Sequence, residues 1–523
     1  MAIYIVVAAF AYVSLRLLYS LFPGLLRNLL IFTIALACLY ESLIGLCQLL
    51  GIYSSNNYMY AITGSFDNPG PYGGFLAVCI SLLASFYYEL KGRKINKSTI
   101  SKLLHSFILI VTIIAFVILP SSQSRGAIIA LGCGIILYVW GNNSSRIKIK
   151  QILKKNGLLV FASVVICLVG VYFLKKGSAD SRLFIDKIAI KAISENGWKG
   201  AGAGHFGGAY GEAQAKYFKK QIDENGKDDL DWTVIKEQEF NYADCPDNAF
   251  NEFLFVGVEA GPFVMILFAS MVIIFIVVSY KRRTIWCYGL MTFSIFSLFS
   301  YPLHIIQFQI LFPVLLAGCI SENGPIIKYK TRIITIVVSS VIVITLSKTV
   351  INKIYQLRQQ KQAEMAYAKL KRWYEMEYYN DVVNESYDLM PFLGLNENFL
   401  FTYGQALNKI GDYEKSDSIL MIGTKISNDP MFWNMLGNNS LEQGNYLEAE
   451  ARYKTAFYMV PNRLYPLYLL AKLYYTEGDS LRFIEMSDKV ESFVPKVESA
   501  NTERMILDIK NLKAIGNLES RDD

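Results

Sequence analysis

Ten apolar runs of membrane-spanning length dominate the sequence and limit what it can fold into. A helix needs roughly 20 residues to cross a hydrocarbon core about 30 Å thick. Lipid cannot bond to open backbone groups, so these runs predict an all-α, polytopic transmembrane helix bundle. The approximate runs are 2–22, 27–51, 71–90, 103–120, 124–142, 157–174, 258–280, 284–302, 303–321 and 332–351.

Composition supports a multi-pass membrane protein that carries a polar appendage. Hydrophobic residues make up 53% of the 523 residues, charged residues 18%, and the mean hydropathy is +0.31. A soluble protein of this size is rarely so apolar. The net charge of +7 lies mostly in short clusters between apolar runs, which indicates a topology signal rather than a nucleic-acid partner. No basic segment precedes the first run, so no cleaved signal peptide is predicted.

The basic connections predict the orientation of the bundle. Short connections rich in Lys and Arg stay on the cytoplasmic side. Alternation then places two long polar regions, 175–249 and the chain after 353, on the outer face. The short basic connections are 91–102, 146–155, 281–283 and 328–332.

The C-terminal third has a repeat of about 34 residues. Gly411, Gly444 and Gly478 are 33 and 34 positions apart, as in tetratricopeptide repeats. We therefore predict two domains: a transmembrane domain over 1–351 with the large loop 175–249, and an α-solenoid of tetratricopeptide-like (TPR-like) helical hairpins over 353–517. A groove for a protein partner and a packed spacer are both consistent with such repeats.

Two outward motifs precede the large loop. The segment 63–75 contains Asn68 among glycines and prolines that favour a turn. It is either a turn facing lipid headgroups or an ordinary loop. Arg125 follows Ser124 at the outer end of the fifth run. A guanidinium there suits a pyrophosphate, although an arginine can also reach out to the interface from an apolar helix.

The large loop contains further candidates. Arg182 begins an amphipathic helix that is typical of the membrane interface. The glycine-rich segment 197–204 is either a hinge or a binding loop, and the polar middle, 221–239, is expected to be a solvated excursion. Asp247 and Glu252 flank the return to the membrane, where either could act as a general base. Glu252 could equally be an acid that stabilises a helix N-terminus.

Histidines and cysteines limit the other chemistry. His205 and His304 are the outward histidines and are candidate proton carriers. Seven of the eight cysteines lie in or beside apolar runs, and no Cys/His metal spacing occurs. No strand is predicted before the glycine-rich segment, as a dinucleotide-binding motif would require. We therefore expect no metal and no cofactor.

Several segments together resemble the superfamily of O-antigen ligases and Wzy-type polysaccharide polymerases, over roughly 55–325. The similar segments are 64–69, 124–127, Arg182 with 200–206, 250–254 and 259–261. The resemblance implies a bacterial inner-membrane enzyme that takes a glycan from undecaprenyl pyrophosphate. The acceptor would be lipid A core, a growing polysaccharide or a protein hydroxyl. It also implies that Arg125 and Arg182 hold the pyrophosphate.

The chain departs from this family at one position. The family usually has His-Asn-x-x-Leu where this chain has Phe250-Asn251-Glu252-Phe253-Leu254. The histidine often proposed as the base is therefore Phe250. Glu252, Asp247 or a remote histidine could replace it, the base could be dispensable, or the protein could be inactive.

We therefore predict a lipid-linked-glycan-dependent glycosyltransferase, either a surface-polysaccharide ligase or a protein O-oligosaccharyltransferase. Its loop and C-terminal domain would be periplasmic. The predicted catalytic residues are Arg125, Arg182, Glu252 and Asp247; the predicted substrate-binding residues are Asn68, His205, Asn251 and His304. The alternatives are a polysaccharide polymerase and a non-enzymatic, membrane-anchored TPR scaffold for envelope assembly. A transporter would rest on Glu41 and Gln48.

Overall fold

The computed structural model describes residues 2–92, 99–141, 147, 176–321 and 329–519. In this described part the regular elements are helices, which confirms the all-α prediction. The first helices are α1 (Ala2–Leu21), α2 (Pro23–Leu49), α3 (Pro69–Gly92), α4 (Thr99–Ile118) and α5 (Arg125–Gly141). They are followed by α6 (Lys176–Glu195), α7 (Phe206–Asn225), α8 (Glu237–Tyr242), α9 (Glu252–Lys281), α10 (Trp286–Phe296) and α11 (Ile306–Ser321).

A long helix begins the C-terminal part and shorter helices follow it. They are α12 (Tyr329–Glu375), α13 (Tyr379–Leu393), α14 (Glu397–Lys409), α15 (Tyr413–Ile426), α16 (Met431–Glu442), α17 (Tyr446–Met459), α18 (Tyr465–Glu477), α19 (Ser480–Ser492) and α20 (Ala500–Glu519).

Four described helices are long and apolar enough to cross a membrane: Pro23–Leu49, Pro69–Lys91, Lys102–Ser122 and Glu252–Lys281. Four more are apolar but shorter: Val7–Leu21, Arg125–Gly141, Trp286–Phe296 and Ile306–Ile320. The predicted run 157–174 lies outside the described residues, and the run 332–351 lies within α12. A total of ten spans therefore stays a prediction.

The chain divides into two compact units. The first unit comprises Met1–Ala179, Ala249–Phe253 and Phe263–Lys353. The second unit comprises Asp180–Asn248, Leu254–Pro262 and Ile354–Asp523. The large loop thus groups with the C-terminal helices. The predicted domain boundaries and the TPR solenoid stay predictions.

The first unit is built around α3. Its apolar span is 72% buried, against 11% for α9, so α3 lies at the centre of the packing. The ring of Phe308 is 5.8–5.9 Å from those of Phe75, Phe293 and Phe296. Such aromatic clusters contribute both area and ring geometry to a core.

Two buried polar side chains of α2 hold the turn before α3. Gln48 accepts N–H bonds from Thr63 and Gly64 and donates to the Gly64 carbonyl, at 2.8–2.9 Å. Glu41 accepts bonds from the Ser65 N–H at 2.9 Å and the Ser65 hydroxyl at 2.5 Å. Buried polar groups need hydrogen-bond partners, and these two find them in the protein's own turn. This structural role explains Glu41 and Gln48 without the transporter alternative.

In the second unit, the regularly spaced glycines mark helix ends. Gly411, Gly444 and Gly478 have φ angles of 81°, 74° and 80°, and each follows the first helix of a pair. The next residue then caps the following helix; Asp412, for example, accepts the N–H of Lys415. Glycine is preferred at such left-handed helix ends, which explains the spacing seen in the sequence.

The C-terminal helices bind the large loop directly. Asn462 donates to the carbonyls of Phe240 and Ala243 at 2.7 and 2.8 Å. Gln214 donates to the carbonyl of Met459 at 2.6 Å. These side chains donate to backbone carbonyls, and a carbonyl buried without a hydrogen-bond donor would cost free energy of folding.

The prediction of a solvated loop middle over 221–239 is only partly correct, because nine of its residues are exposed while others pack inside the unit. Leu230 is 1% exposed, and the ring of Trp232 lies 5.1 Å from that of Phe493. Asp228 pairs with Lys489, and Asp229 with Lys454, both at 2.6 Å. The acidic residues that made this segment look solvated instead neutralise lysines of the C-terminal helices.

A kink in α9 fixes the glycine-rich segment. Gly261 has a φ of 85° and precedes Pro262. Proline has no N–H for the carbonyl four residues earlier, and that carbonyl, of Val258, accepts the N–H of Ala201 at 2.8 Å. The carbonyl of Glu259 likewise accepts the N–H of Gly202 at 2.9 Å. The segment is therefore bonded in place, which favours neither a free hinge nor a phosphate loop.

We expect Gly261→Ala to release this segment. The added Cβ would lie 2.1 Å from the Trp198 carbonyl oxygen, at a φ that alanine avoids. The matched control is Gly197→Ala, where φ is +64° but nothing lies within 4 Å. The control should lose only the free energy of placing alanine at a positive φ, about 1–2 kcal/mol. Hydrogen exchange across 196–206 should therefore rise more in Gly261→Ala, and equal exchange in both variants would contradict this account.

Candidate functional site

The strongest candidate site in the first unit is at the start of α9. Glu252 is the first residue of this helix and is fully buried. Its Oε2 accepts the N–H of Leu303 at 3.1 Å, and its own N–H donates to the Ser297 carbonyl at 2.8 Å. Its Oε1 lies 3.5 Å from Nδ1 of His304. The structure thus brings together two residues that are 52 positions apart in the sequence and were predicted separately.

Phe250 and His304 both contact the ring of Tyr301. The Phe250 ring is 5.6 Å from that of Tyr301, and the Tyr301 ring is 6.4 Å from that of His304. Phe250 has a φ of 49°, which is unusual for a bulky residue and is typical of constrained functional positions. His304 therefore shares a neighbour with the position where the family usually has its histidine.

The two candidate asparagines in the first unit, Asn68 and Asn251, each accept a backbone N–H at the start of a helix. Asn251 accepts the N–H of Phe253 at 3.2 Å at the start of α9. Asn68 accepts the N–H of Gly70 at 2.8 Å at the start of α3. Both interactions satisfy backbone donors that a helix cannot satisfy internally. A local structural role is thus visible for each.

Arg125 is half-buried at the first turn of α5. The neighbouring Ser124 hydroxyl donates to the carbonyl of Gly70 at 3.1 Å, so this turn and the turn before α3 are bonded together. The short 3-10 helix Leu119–Ser122 precedes it, and Gln123 has a φ of 49°. The segment just before Arg125 is therefore a hydrogen-bonded turn rather than the regular end of a helix.

Arg182 belongs to the second unit and lies on α6. The apolar face of this helix packs inside the unit, where Ile188, Ala189 and Ala192 are fully buried. The predicted amphipathic helix is thus present, with protein covering the buried face. Arg182 is half-buried and one turn before Asp186.

Asp186 is a candidate that the sequence did not reveal. Burial raises its pKa to about 6, while Arg182 acts in the opposite direction. A carboxyl with such a perturbed pKa is typical of functional sites. The signal available in the sequence was the four-residue spacing from Arg182, which places both on one face of a helix.

Asp247 and His205 both belong to the second unit. Asp247 is exposed and lines a pocket with Gly204 and Phe206. His205 precedes α7, with its Nδ1 3.0 Å from the Ala203 carbonyl. The roles predicted for these and the other candidate residues stay predictions.

Comparison with known families adds to this geometry. The O-antigen ligase family model matches residues 110–269. This chain is similar to O-antigen ligases. The matched stretch begins in α4, ends in α9 and includes Arg125, Arg182 and Glu252. It covers less than a third of the chain and supports the O-antigen ligase superfamily and an O-antigen ligase-type membrane enzyme. A comparison with curated proteins finds no match.

The raised pKa of Asp186 predicts a pH effect on the large loop. Its folded pKa, about 6, exceeds its usual value of 3.8, so folding favours the protonated carboxyl. The stabilising contribution is present below pH 3.8 and is lost as the pH rises through about 6. Asp186→Asn should therefore slow hydrogen exchange in α6 at pH 7 relative to the parent protein.

At pH 4, Asp186→Asn and the parent protein should show equal hydrogen exchange in α6 after correction for the pH dependence of intrinsic amide exchange rates. The control is Asp223→Asn, an exposed carboxylate on α7 that pairs with Lys219 at 2.6 Å. If the hydrogen exchange of α6 depends on pH in the same way in Asp186→Asn and the parent protein between pH 4 and 7, then the pKa of Asp186 is not raised.

Proposed function

We propose that this protein transfers a glycan from undecaprenyl pyrophosphate to an acceptor hydroxyl on the outer face of the bacterial inner membrane. The family match over 110–269 supports the enzyme class. The observation that carries the proposal is the Glu252–His304 pair at the start of α9. It supplies a base next to the position where the family usually has one.

His304 has the surroundings that a general base needs. Its side chain is 34% exposed, whereas that of Glu252 is 0% exposed. A buried carboxylate next to Nδ1 favours the tautomer with a proton on that nitrogen and leaves Nε2 as the basic atom. The distance of 3.5 Å is long for a hydrogen bond, and such contacts tighten when substrate binds. Glu252 is therefore the positioning residue and His304 the base.

The reaction balances without a cofactor. The acceptor oxygen attacks the anomeric carbon of the donor sugar and loses its proton to His304. A new glycosidic C–O bond forms as the bond from the anomeric carbon to the pyrophosphate oxygen breaks. Undecaprenyl pyrophosphate leaves with the bonding electron pair, and the proton on His304 passes to solvent.

Arg125 and Arg182 would hold the pyrophosphate in this scheme. Negative charge grows on the leaving oxygen, and preorganised positive groups stabilise it more in the transition state than in the ground state. The guanidinium fork suits two phosphate oxygens at once. Asp186, one turn from Arg182, would limit the rotation of that guanidinium. Asn68, Asn251 and His205 remain proposed substrate contacts.

Lipid A core, a polysaccharide end or a protein hydroxyl remain the proposed acceptors. We place the large loop and the C-terminal helices in the periplasm, and interpret those helices as TPR-like. Part of the surface of these helices is covered by the large loop, to which they are hydrogen-bonded through residues such as Asn462. A protein partner would then bind the surface that remains.

Arg125→Ala and Arg182→Ala should each abolish most glycan transfer while leaving membrane insertion unchanged. The measurement is the envelope glycan profile of a deletion strain that expresses each variant. Unligated lipid-linked polymer indicates loss of a ligase, and short single repeats indicate loss of a polymerase. The control, Arg504→Ala, removes an exposed arginine on α20. Full transfer by both variants would refute the mechanism.

His304→Gln should lower the transfer rate by about 10²–10⁴-fold, as expected for loss of a general base. Glu252→Gln should lower it less, since the amide can still accept the Leu303 N–H but no longer presents a carboxylate to Nδ1 of His304. The matched control is His105→Gln, a histidine whose ring stacks on Tyr87 at 4.2 Å. Rates are measured on purified protein with a lipid-linked donor, across pH.

A double variant makes this test sharper. Phe250→His in the His304→Gln protein should restore part of the rate, because both rings lie beside Tyr301. If His304→Gln transfers glycan at the parental rate and pH profile, then His304 is not the base. The arginine variants would then still decide whether the protein is a transferase.

A further inference from the structure

The second unit contains a polar pocket of about 370 Å³. The glycine segment, the exit of the large loop and the start of α9 form part of its wall. The turn before α14 and the end of α15 complete it. Its volume is in the range of small-ligand pockets. All of the lining residues belong to the second unit, including Phe255 and Glu259 of α9.

The wall is rigidly held. Glu259, which is 4% exposed, accepts the N–H of Gly204 at 2.8 Å. Asn428, which is 6% exposed, donates to the carbonyl of Pro246 at 2.8 Å. Asn396 accepts the N–H of Phe399 at 3.0 Å and so fixes the start of α14. The pocket is therefore built before any ligand arrives, which lowers the cost of binding.

The chemistry of the lining selects the ligand class. Three carboxylates (Asp247, Glu259 and Glu397) and three asparagine amides (Asn396, Asn398 and Asn428) line the pocket. The described lining residues include no lysine or arginine. Carboxylates only accept hydrogen bonds, whereas amides both donate and accept. An anionic pyrophosphate would be repelled, and a purely cationic group would leave the amide donors unmatched.

Apolar side chains add a second requirement. Phe206 and Phe255 line the pocket and stack on each other at 5.0 Å. Leu395 and Ile426 also line the pocket. A ligand with hydroxyl groups around its edge and C–H groups on its faces matches both the polar and the apolar parts. An uncharged sugar ring has this pattern.

We propose that this pocket binds an uncharged saccharide, as a subsite that holds the glycan being transferred or the glycan that accepts it. The inference rests on the proposed function for its biological meaning. Carboxylates and asparagines bond to the hydroxyls, and the apolar side chains cover the ring faces. The pocket thus determines which glycans are used, while the pyrophosphate is held elsewhere.

The test uses the full chain in nanodiscs and saturation-transfer NMR. The probes are glucose, galactose, mannose and N-acetylglucosamine, with inorganic pyrophosphate and trilysine as comparison probes. At least one sugar should receive saturation from the protein, and pyrophosphate should not compete with it. Glu397→Gln and Asn398→Ala should reduce the signal severalfold. Absence of any sugar signal, or binding of trilysine alone at this site, would overturn the proposal.

Glu414→Gln is the matched control. Glu414 and Glu397 both lie in the first turn of a helix in the same unit, but only Glu397 lines the pocket. The control should keep the sugar signal at its original strength. Equal signals in Glu397→Gln, Asn398→Ala and Glu414→Gln would mean that the sugars bind at another site, and the proposal would be wrong.

A transfer assay identifies the source of the saccharide. Asn398→Trp, which fills the pocket with a large side chain, should raise one KM about tenfold and leave kcat within about twofold. A rise in the acceptor KM identifies an acceptor subsite, and a rise in the donor KM identifies a donor-glycan subsite. If neither KM changes, the pocket is not a saccharide site.

These results are separable from those for the transferase reaction. If the sugar signal is absent while Arg125→Ala and Arg182→Ala abolish transfer, only the pocket assignment is lost. If the sugars bind as described while both arginine variants transfer normally, the saccharide site stands and the proposed transfer mechanism is lost.

Discussion

The backbone carbonyls freed at the α9 kink are the constraint on which the second unit depends. Pro262 cannot donate to Val258, and a buried carbonyl without a donor costs free energy. The N–H groups of Ala201 and Gly202 fill these positions. This backbone pairing fixes the glycine segment, and the Glu259 side chain extends it to Gly204. One wall of the polar pocket thus follows from the kink at Gly261 and Pro262.

A second consequence concerns the C-terminal helices. Packed repeats are usually considered as surfaces for other proteins. Here these helices are connected to the large loop of the same chain. The connecting side chains are Asn462, Gln214 and the lysines paired with Asp228 and Asp229. Changes in these helices should therefore affect the enzyme's own loop as well as any partner.

Much of the local structure was predictable from the sequence. The α6 periodicity and the 33- and 34-residue glycine spacing are local patterns, and both correspond to elements in the structure. The contacts that join distant parts were not predictable. Glu252 and His304 lie on different elements and no periodicity relates them. The acidic segment 221–239 looked solvated because composition does not reveal the lysines that oppose it.

The bond from Asn462 to Phe240 also has a consequence for biosynthesis. The ribosome makes the loop more than 200 residues before the helices that cover it. At elongation rates of about 5–20 residues per second, this interval is on the order of 10–40 seconds. During that time Trp232, whose ring lies 6.4 Å from that of Phe457 on α17 in the finished protein, has no C-terminal helix against which to pack. The large loop therefore leaves the ribosome before the C-terminal helices that pack against it have been made, and its packing is completed only after they are synthesised.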